Sequence, residues 1–204
     1  MKLWKAILLV FVAVVVVAVA YGASVIRRGF SARDEASTLE TVVASAVRKM
    51  SIPRIDREKE NPWKDRASPE IMTGARAHWA GHCATCHAND GSGQTEIGQN
   101  LYPKAPDMRL PATQNLTDGE LYYIVRNGIR LTGMPAWGDP HLQQDDESWQ
   151  LVLFIRHLPQ ITPEELRAME HLNPKSEAQR VADEEAERFL NEGIAPQPHE
   201  QMRH

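Results

Sequence analysis

Cysteine is nearly absent from this chain: its 204 residues include two, at positions 83 and 86. That is too few for a disulfide framework, so the pair needs a specific explanation. A basic excess is also missing. The formal net charge is -4 with 23 Lys/Arg against 27 Asp/Glu, and no long Lys/Arg block occurs, which argues against nucleic acid as a partner. No run alternates apolar and polar residues convincingly enough to mark a β-strand. Gly91-Ser92-Gly93 lacks the strand-then-helix setting of a phosphate loop and reads as a turn.

One long hydrophobic run is present, at the start. Lys2 and Lys5 precede the strictly apolar stretch Ala6 to Ala20, and no charge follows until Arg27. As a helix the uncharged run reaches about 30 Å, enough to cross a hydrocarbon core. Residues 1–26 are therefore expected to be an N-terminal transmembrane helix, an uncleaved signal-anchor. The alternative is a cleaved signal peptide, since Ala18-Val19-Ala20 has the form of a cleavage site. The length of the run and Arg27-Arg28 behind it favour the anchor. Positive charge on both flanks leaves its orientation open.

Residues 27–67 read as a stalk helix and linker. Leu39, Val42, Val43, Ala46, Val47 and Met50 have helical spacing, and Ser37 to Glu40 offer a capping box. A stalk lying on the following domain is the simpler reading, with docking to a partner or the membrane surface as the alternative. The stretch from Ser51 to Arg66, with Pro53 and Pro62, reads as an extended polar linker.

Residues 68–159 form the expected core domain. Ser68 with Pro69 opens a helix, Thr117 to Glu120 form another capping box before Leu121, Ile124 and Val125, and Gly128 is a stop. A further helix starts near Asp145 or Asp146 and carries Trp149, Val152, Leu153, Phe154, Ile155 and Leu158. The fold class is all-α: a small domain of three to four helices with long loops, preceded by the transmembrane helix and followed by a helical tail. So small a core usually needs a staple or cofactor, and a large flat apolar ligand would supply the missing burial. The tail, residues 160–204, is acidic and helix-compatible with weak apolar faces; a solvated or loosely packed tail is expected, with an acidic docking arm as the alternative.

The cysteines sit in Cys83-Ala84-Thr85-Cys86-His87, the C-x-x-C-H attachment signature of a c-type haem. On a helical turn, positions i and i+3 share a face, so both sulfurs can reach vinyl groups on one porphyrin edge. His87 can then place its imidazole beneath the iron. A zinc site completed by His78 and His82 is a poorer reading, because no second cysteine pair exists. A thioredoxin-like pair would require a βαβ setting that is not visible.

Residues 68–159 resemble a class I c-type cytochrome domain, monohaem and bacterial in style, and the likeness extends past the motif. Trp79 stands four residues before the first cysteine, where the family places an aromatic that packs the N-terminal helix on the C-terminal one; Trp149 and Leu153 are its expected partners. The family's usual glycine eight residues before that cysteine is Ala75 here, with Gly74 beside it, so a shifted helix crossing is expected. "LTDGELYYIVRNGI" resembles the family's middle helix and "LTGMPAWG" its methionine loop.

The resemblance implies one covalently bound haem c held by Cys83 and Cys86, with His87 as proximal and Met134 as distal iron ligand. Met108, His141 and His157 are the rival distal ligands. Pro103 or Pro106 is expected to accept the second His87 N–H, and Arg109, Tyr102, Trp137 or Arg130 to reach haem propionates. It further implies an electron-transfer protein rather than an enzyme. The expected role is one-electron carriage between redox partners such as a quinol-oxidising complex, a dehydrogenase or a terminal oxidase. The expected location is the bacterial inner membrane, with the haem domain in the periplasm. Two alternatives remain: a cytochrome subunit of a dehydrogenase or oxidase complex, and a haem-based gas or redox sensor. Peroxide reduction fits poorly with a methionine-capped iron.

Overall fold

The computed structural model describes residues 2–29, 31–142 and 144–192, and among them there is no strand. The N-terminal half contains α1 (Lys2–Arg28), α2 (Thr38–Ser51), α3 (Arg54–Arg57), α4 (Pro69–His78) and α5 (Ala84–His87), with a π-helical turn, Trp79–Cys83, joining the last two. Then come α6 (Glu96–Asn100), α7 (Pro111–Gln114), α8 (Asp118–Asn127), α9 (Asp146–His157), α10 (Pro163–Glu170) and α11 (Glu177–Glu192). The end of the expected tail, residues 193–204, lies outside the described residues.

Helix α1 is long and apolar enough to cross a membrane, with a mean hydropathy of 2.9 over its most apolar 18 residues, none of them buried in protein. Its length follows from an unbroken run of Val, Leu and Ala without proline or charge.

The core forms where α4 crosses α9, the most extensive helix pair in the molecule. Ser68 caps α4 and Asp145 caps α9, each side chain accepting from the backbone N–H three residues on. Ala75 is buried at the crossing, whereas a Cβ on Gly74 would meet open space. The crossing is therefore not shifted to Gly74: a methyl group is small enough for the close approach. Trp79 packs on Phe154, ring centroids 5.6 Å apart. Trp149 faces the other way and stacks on Tyr122 at 3.9 Å and 9°, joining α9 to α8 instead. Arg156 then locks α9 to the turn before α8, bonding Asp118 and the carbonyls of Gln114 and Leu116.

The packed unit extends beyond the expected 68–159 span on both sides. Residues 52–66 are a strap across α8 and α9 rather than a free linker. Ile52 is 2% exposed. The Thr117 hydroxyl donates to the Arg57 carbonyl at 2.8 Å, and Gly119 lets the Asp56 backbone approach so closely that a Cβ there would collide with it. Asn61 donates to the Trp149 carbonyl at 2.9 Å and the Trp63 indole to Asp146 at 3.2 Å. On the far side, α10 docks through Met169, which is fully buried, and through Glu165, which pairs with His157 (2.9 Å) and Arg76 (3.6 Å). Asn89 bonds Asn173 just beyond it. The first part of the tail is thus packed, not solvated.

Helix α2 departs from expectation in the opposite sense. Its capping box forms as read, with Ser37 and Glu40 exchanging bonds. None of its residues is buried, however, and Leu39, Val42, Val43, Val47 and Met50 are 53–74% exposed. The apolar surfaces it was expected to lie on are already covered by the strap and α10.

Candidate haem site

The chemistry-bearing residues begin at the end of α4. The helix widens into the π-turn Trp79–Cys83, in which the Ala84 N–H bonds the Trp79 carbonyl, and then tightens into α5. Such single wide turns inside helices concentrate at functional sites. The turn places Cys83 in the core and leaves Cys86 and His87 half-buried on the same short segment. Directly after it, Ala88 adopts φ 61° and ψ 163°, a region that glycine tolerates and a Cβ does not. The Trp79 indole N–H holds that reversal by donating to the Ala88 carbonyl at 3.0 Å, and its ring lies 5.8 Å from the His87 ring.

Burial pushes the Cys83 thiol up to about 12, with the neighbouring Cys86 adding to the effect, and burial also raises Cys86. Both sulfurs are therefore protonated and neutral at neutral pH, unlike a reactive thiolate. A neutral thioether suits that environment. Among the described residues no group of three or more His, Cys, Asp or Glu side chains is placed to hold a metal ion, so the zinc reading gains no support.

Burial lowers the His87 pKa, opposed by the Pro106 carbonyl, so the imidazole is held in its neutral form. Its Nδ1 is sealed from water and makes no hydrogen bond of ordinary geometry. A neutral imidazole is the form in which histidine ligates a metal. Of the two prolines expected behind it, Pro106 is the one that acts on the ring.

The loop from Ala88 to Leu110 is built tightly around this histidine. Thr95 caps α6 and donates from its hydroxyl to the Cys86 carbonyl at 3.0 Å. A Cβ on Gly98 would strike that same carbonyl, so α6 presses directly on the cysteine turn. Arg109 bonds both oxygens of Asp107, at 2.9 and 2.7 Å, and Asp90 at 2.9 Å. It is a loop staple and not a free partner for propionates. Tyr102 interacts with Glu40, Trp137 lies against His82, and Arg130 is exposed.

Met134 lies on the loop after α8. Gly128 ends α8 at φ 66°, and the loop is tied back by Ile129 N–H to the Met134 carbonyl, Trp137 N–H to Val125 and Gly138 N–H to Arg126. The Thr132 hydroxyl accepts from the Met134 N–H at 3.1 Å. Both flanks of Met134 touch the region of the cysteine turn. A Cβ on Gly133 would run into the Leu101 side chain at 2.7 Å, and Trp137 packs on His82, ring centroids 5.4 Å apart. Met134 is thus bracketed between two contacts to the segments on either side of Cys83–His87.

The rival ligands are placed otherwise. Met108 packs against the core two residues from Pro106. His157 is committed to Glu165, and His141 is exposed. Sequence reading missed Ala88, Gly98 and the Asp90–Asp107–Arg109 staple; the spacing of Asp107 and Arg109 was the available signal for the last.

The donor set fits a haem: two neutral sulfurs three residues apart, a half-buried neutral imidazole directly behind them, and a methionine loop whose flanks contact His82 and Leu101. No curated protein matches the chain. Residues 70–155, from α4 into α9, match the family described as cytochrome C oxidase, cbb3-type, subunit III. This span is a class I c-type cytochrome domain, of the family that binds haem c covalently.

Proposed function

We propose that the chain is a membrane-anchored monohaem cytochrome that carries one electron at a time. In this reading Cys83 and Cys86 form the thioether links, His87 is the proximal ligand and Met134 the distal one. The observation that carries it is the half-buried, neutral His87 immediately behind the cysteine turn, with the Pro106 carbonyl acting on its ring. Bound there, the haem supplies a one-electron iron couple. The residues around it do the rest. The Pro106 carbonyl, which acts on the ring, would orient the imidazole, as an outer partner does for most ligating histidines. The tied Met134 loop presents a soft neutral sulfur that favours the reduced metal and raises the potential. Trp79, Gly98 and the Arg109 staple fix the geometry, so little rearranges on electron transfer. Covalent attachment by this motif occurs outside the cytoplasm in the family. The α1 anchor would then have its N-terminus inside and the haem domain in the periplasm.

A second reading, a subunit of an oxidase or dehydrogenase complex, is favoured by the matched family description. Co-purification with a large haem-containing partner separates it from a free carrier.

The test is an optical redox titration of the haem-loaded protein beside Met134→Ala. The expected wild type shows the methionine–ferric charge-transfer band and a positive potential, and the variant loses both. An unchanged variant would refute the ligand assignment. A wild type whose reduced form binds carbon monoxide rapidly would replace the carrier reading with a sensor.

A further inference from the structure

The apolar face of α2 has no partner among the described residues, and its place in the chain indicates what covers it. We infer that α2 lies flat in the headgroup region of the bilayer crossed by α1, so that the domain is held at the membrane by an interfacial helix as well as by its anchor. The inference rests on the anchor reading of α1.

The first ground is continuity. The described part of α1 ends at Arg28 and α2 begins at Thr38. The nine residues between, at no more than about 3.5 Å each, keep the start of α2 within roughly 30 Å of the membrane surface. A turn at 32–34 shortens that reach further.

The second ground is geometry. Leu39, Val42, Val43, Ala46, Val47 and Met50 fall on one arc of the helix, bordered by Glu40 and Lys49. The opposite side carries Thr41, Ser45 and Arg48. The helix meets the folded domain through polar groups: Arg48 is its one half-buried residue, and Glu40 interacts with Tyr102. The Glu35–Lys104 ion pair, 3.0 Å, adds a tether just before the helix. The apolar arc consequently points away from the domain.

The third ground is charge. Residues 1–51 contain seven Lys/Arg and three Asp/Glu, whereas residues 52–204 contain 16 and 24. The basic part of the chain is the part that meets the bilayer, and an anionic surface attracts it while repelling the domain behind. An amphipathic helix of this length with basic residues beside a modest apolar face is the pattern of interfacial binding.

The test uses the full haem-loaded chain in nanodiscs of phosphatidylethanolamine and phosphatidylglycerol, with a nitroxide on a new cysteine at Val43→Cys, Ser45→Cys or Val14→Cys. Collisions with oxygen report lipid, and collisions with a water-soluble nickel chelate report solvent. The expected result is oxygen dominance at 43, nickel dominance at 45 and strong oxygen dominance at 14. Nickel dominance at 43 would overturn the inference in favour of a solvated helix. Inaccessibility of 43 to both reagents would overturn it in favour of a covered face, a second copy pairing through Leu39, Val43, Ala46 and Met50 or another protein. Failure of the anchor itself is read separately, from loss of the oxygen signal at 14 or from a purified chain lacking its first twenty residues by mass.

Discussion

Helix α10 lies outside the span matched to the cytochrome family, yet Met169 at its end is fully buried in the core cluster with Trp79 and Phe154. If the contact is structural, Met169→Ala must cost what an interior methionine costs, about 2–5 kcal/mol, of which roughly 3 kcal/mol is expected for a site flanked by rigid helices. For a packed unit running from the strap through α10, each kcal/mol lowers the melting temperature by about 4 °C, so the variant should melt about 12 °C below wild type. Thermal unfolding of the haem-loaded protein, followed by far-UV circular dichroism, measures this directly. Leu190→Ala is the control, because Leu190 on α11 is 79% exposed and its truncation should change nothing measurable. A Met169→Ala shift as small as that of the control would refute the claim that α10 belongs to the folded unit. It would return residues 160–192 to the solvated tail that composition suggests.

Further outcomes follow from particular contacts. Thr117 both caps α8 and donates to the strap at Arg57, so Thr117→Ala should cost about 1–2 kcal/mol in a denaturant titration, the upper part of the range for a lost cap. Ala88 occupies a backbone region worth about 1–3 kcal/mol of strain, against which glycine's extra entropy cost is about 0.5–1 kcal/mol; Ala88→Gly should therefore raise stability by about 1 kcal/mol. A Cβ at Gly98 would press on the Cys86 carbonyl, so Gly98→Ala should sharply reduce the yield of haem-attached protein, scored by haem-stained gel. Burial pushes the Glu165 carboxyl up, but bonds from His157 and Thr162 outweigh it and hold its pKa below the usual range. Its contribution is then full above the ordinary carboxylate pKa and lost as pH falls through the lowered folded value. Urea unfolding should thus show Glu165→Gln less stable than wild type at about pH 7, with the gap closing towards about pH 3.

What could be read in the sequence was what is local. The cysteine turn is five consecutive residues, and the capping boxes at Ser37 and Thr117 are four each, so spacing alone specifies them. The middle and last helices follow from periodicity. What escaped depends on contacts between distant segments. Asn61 reaches the Trp149 carbonyl 88 residues away, and nothing in a polar, proline-bearing stretch signals that one amide will find that acceptor. Trp149 and Leu153 were paired with Trp79 by their position in the family, whereas the helix rotates Trp149 onto Tyr122 and gives Trp79 to Phe154. Met169 looked like one apolar residue on a weak helical face, and its burial depends on Glu165 being drawn in by His157 and Arg76. Arg109 looked free because one of its acceptors, Asp90, lies 19 residues away in sequence.

These additions bear on how electrons reach the site. Helix α9 is enclosed by α4, α8 and the strap, and the back of the cysteine turn by α10 and the Asn89–Asn173 contact. The covered sides offer no approach to the proposed haem. The Met134 loop is different: Leu131 stands 92% exposed at φ 63°, and Trp137 is 38% exposed beside it. An exposed leucine and a part-exposed tryptophan on one loop that is otherwise tied down by backbone bonds offer an apolar contact for a partner. If partners exchange electrons through this edge, Leu131→Asp should leave the potential and the spectrum of the isolated protein unchanged while slowing its reduction by membranes containing the native donor. Equal slowing by a charge placed elsewhere on the surface, such as Gln160→Asp just after α9, would show that the approach is not confined to the methionine loop.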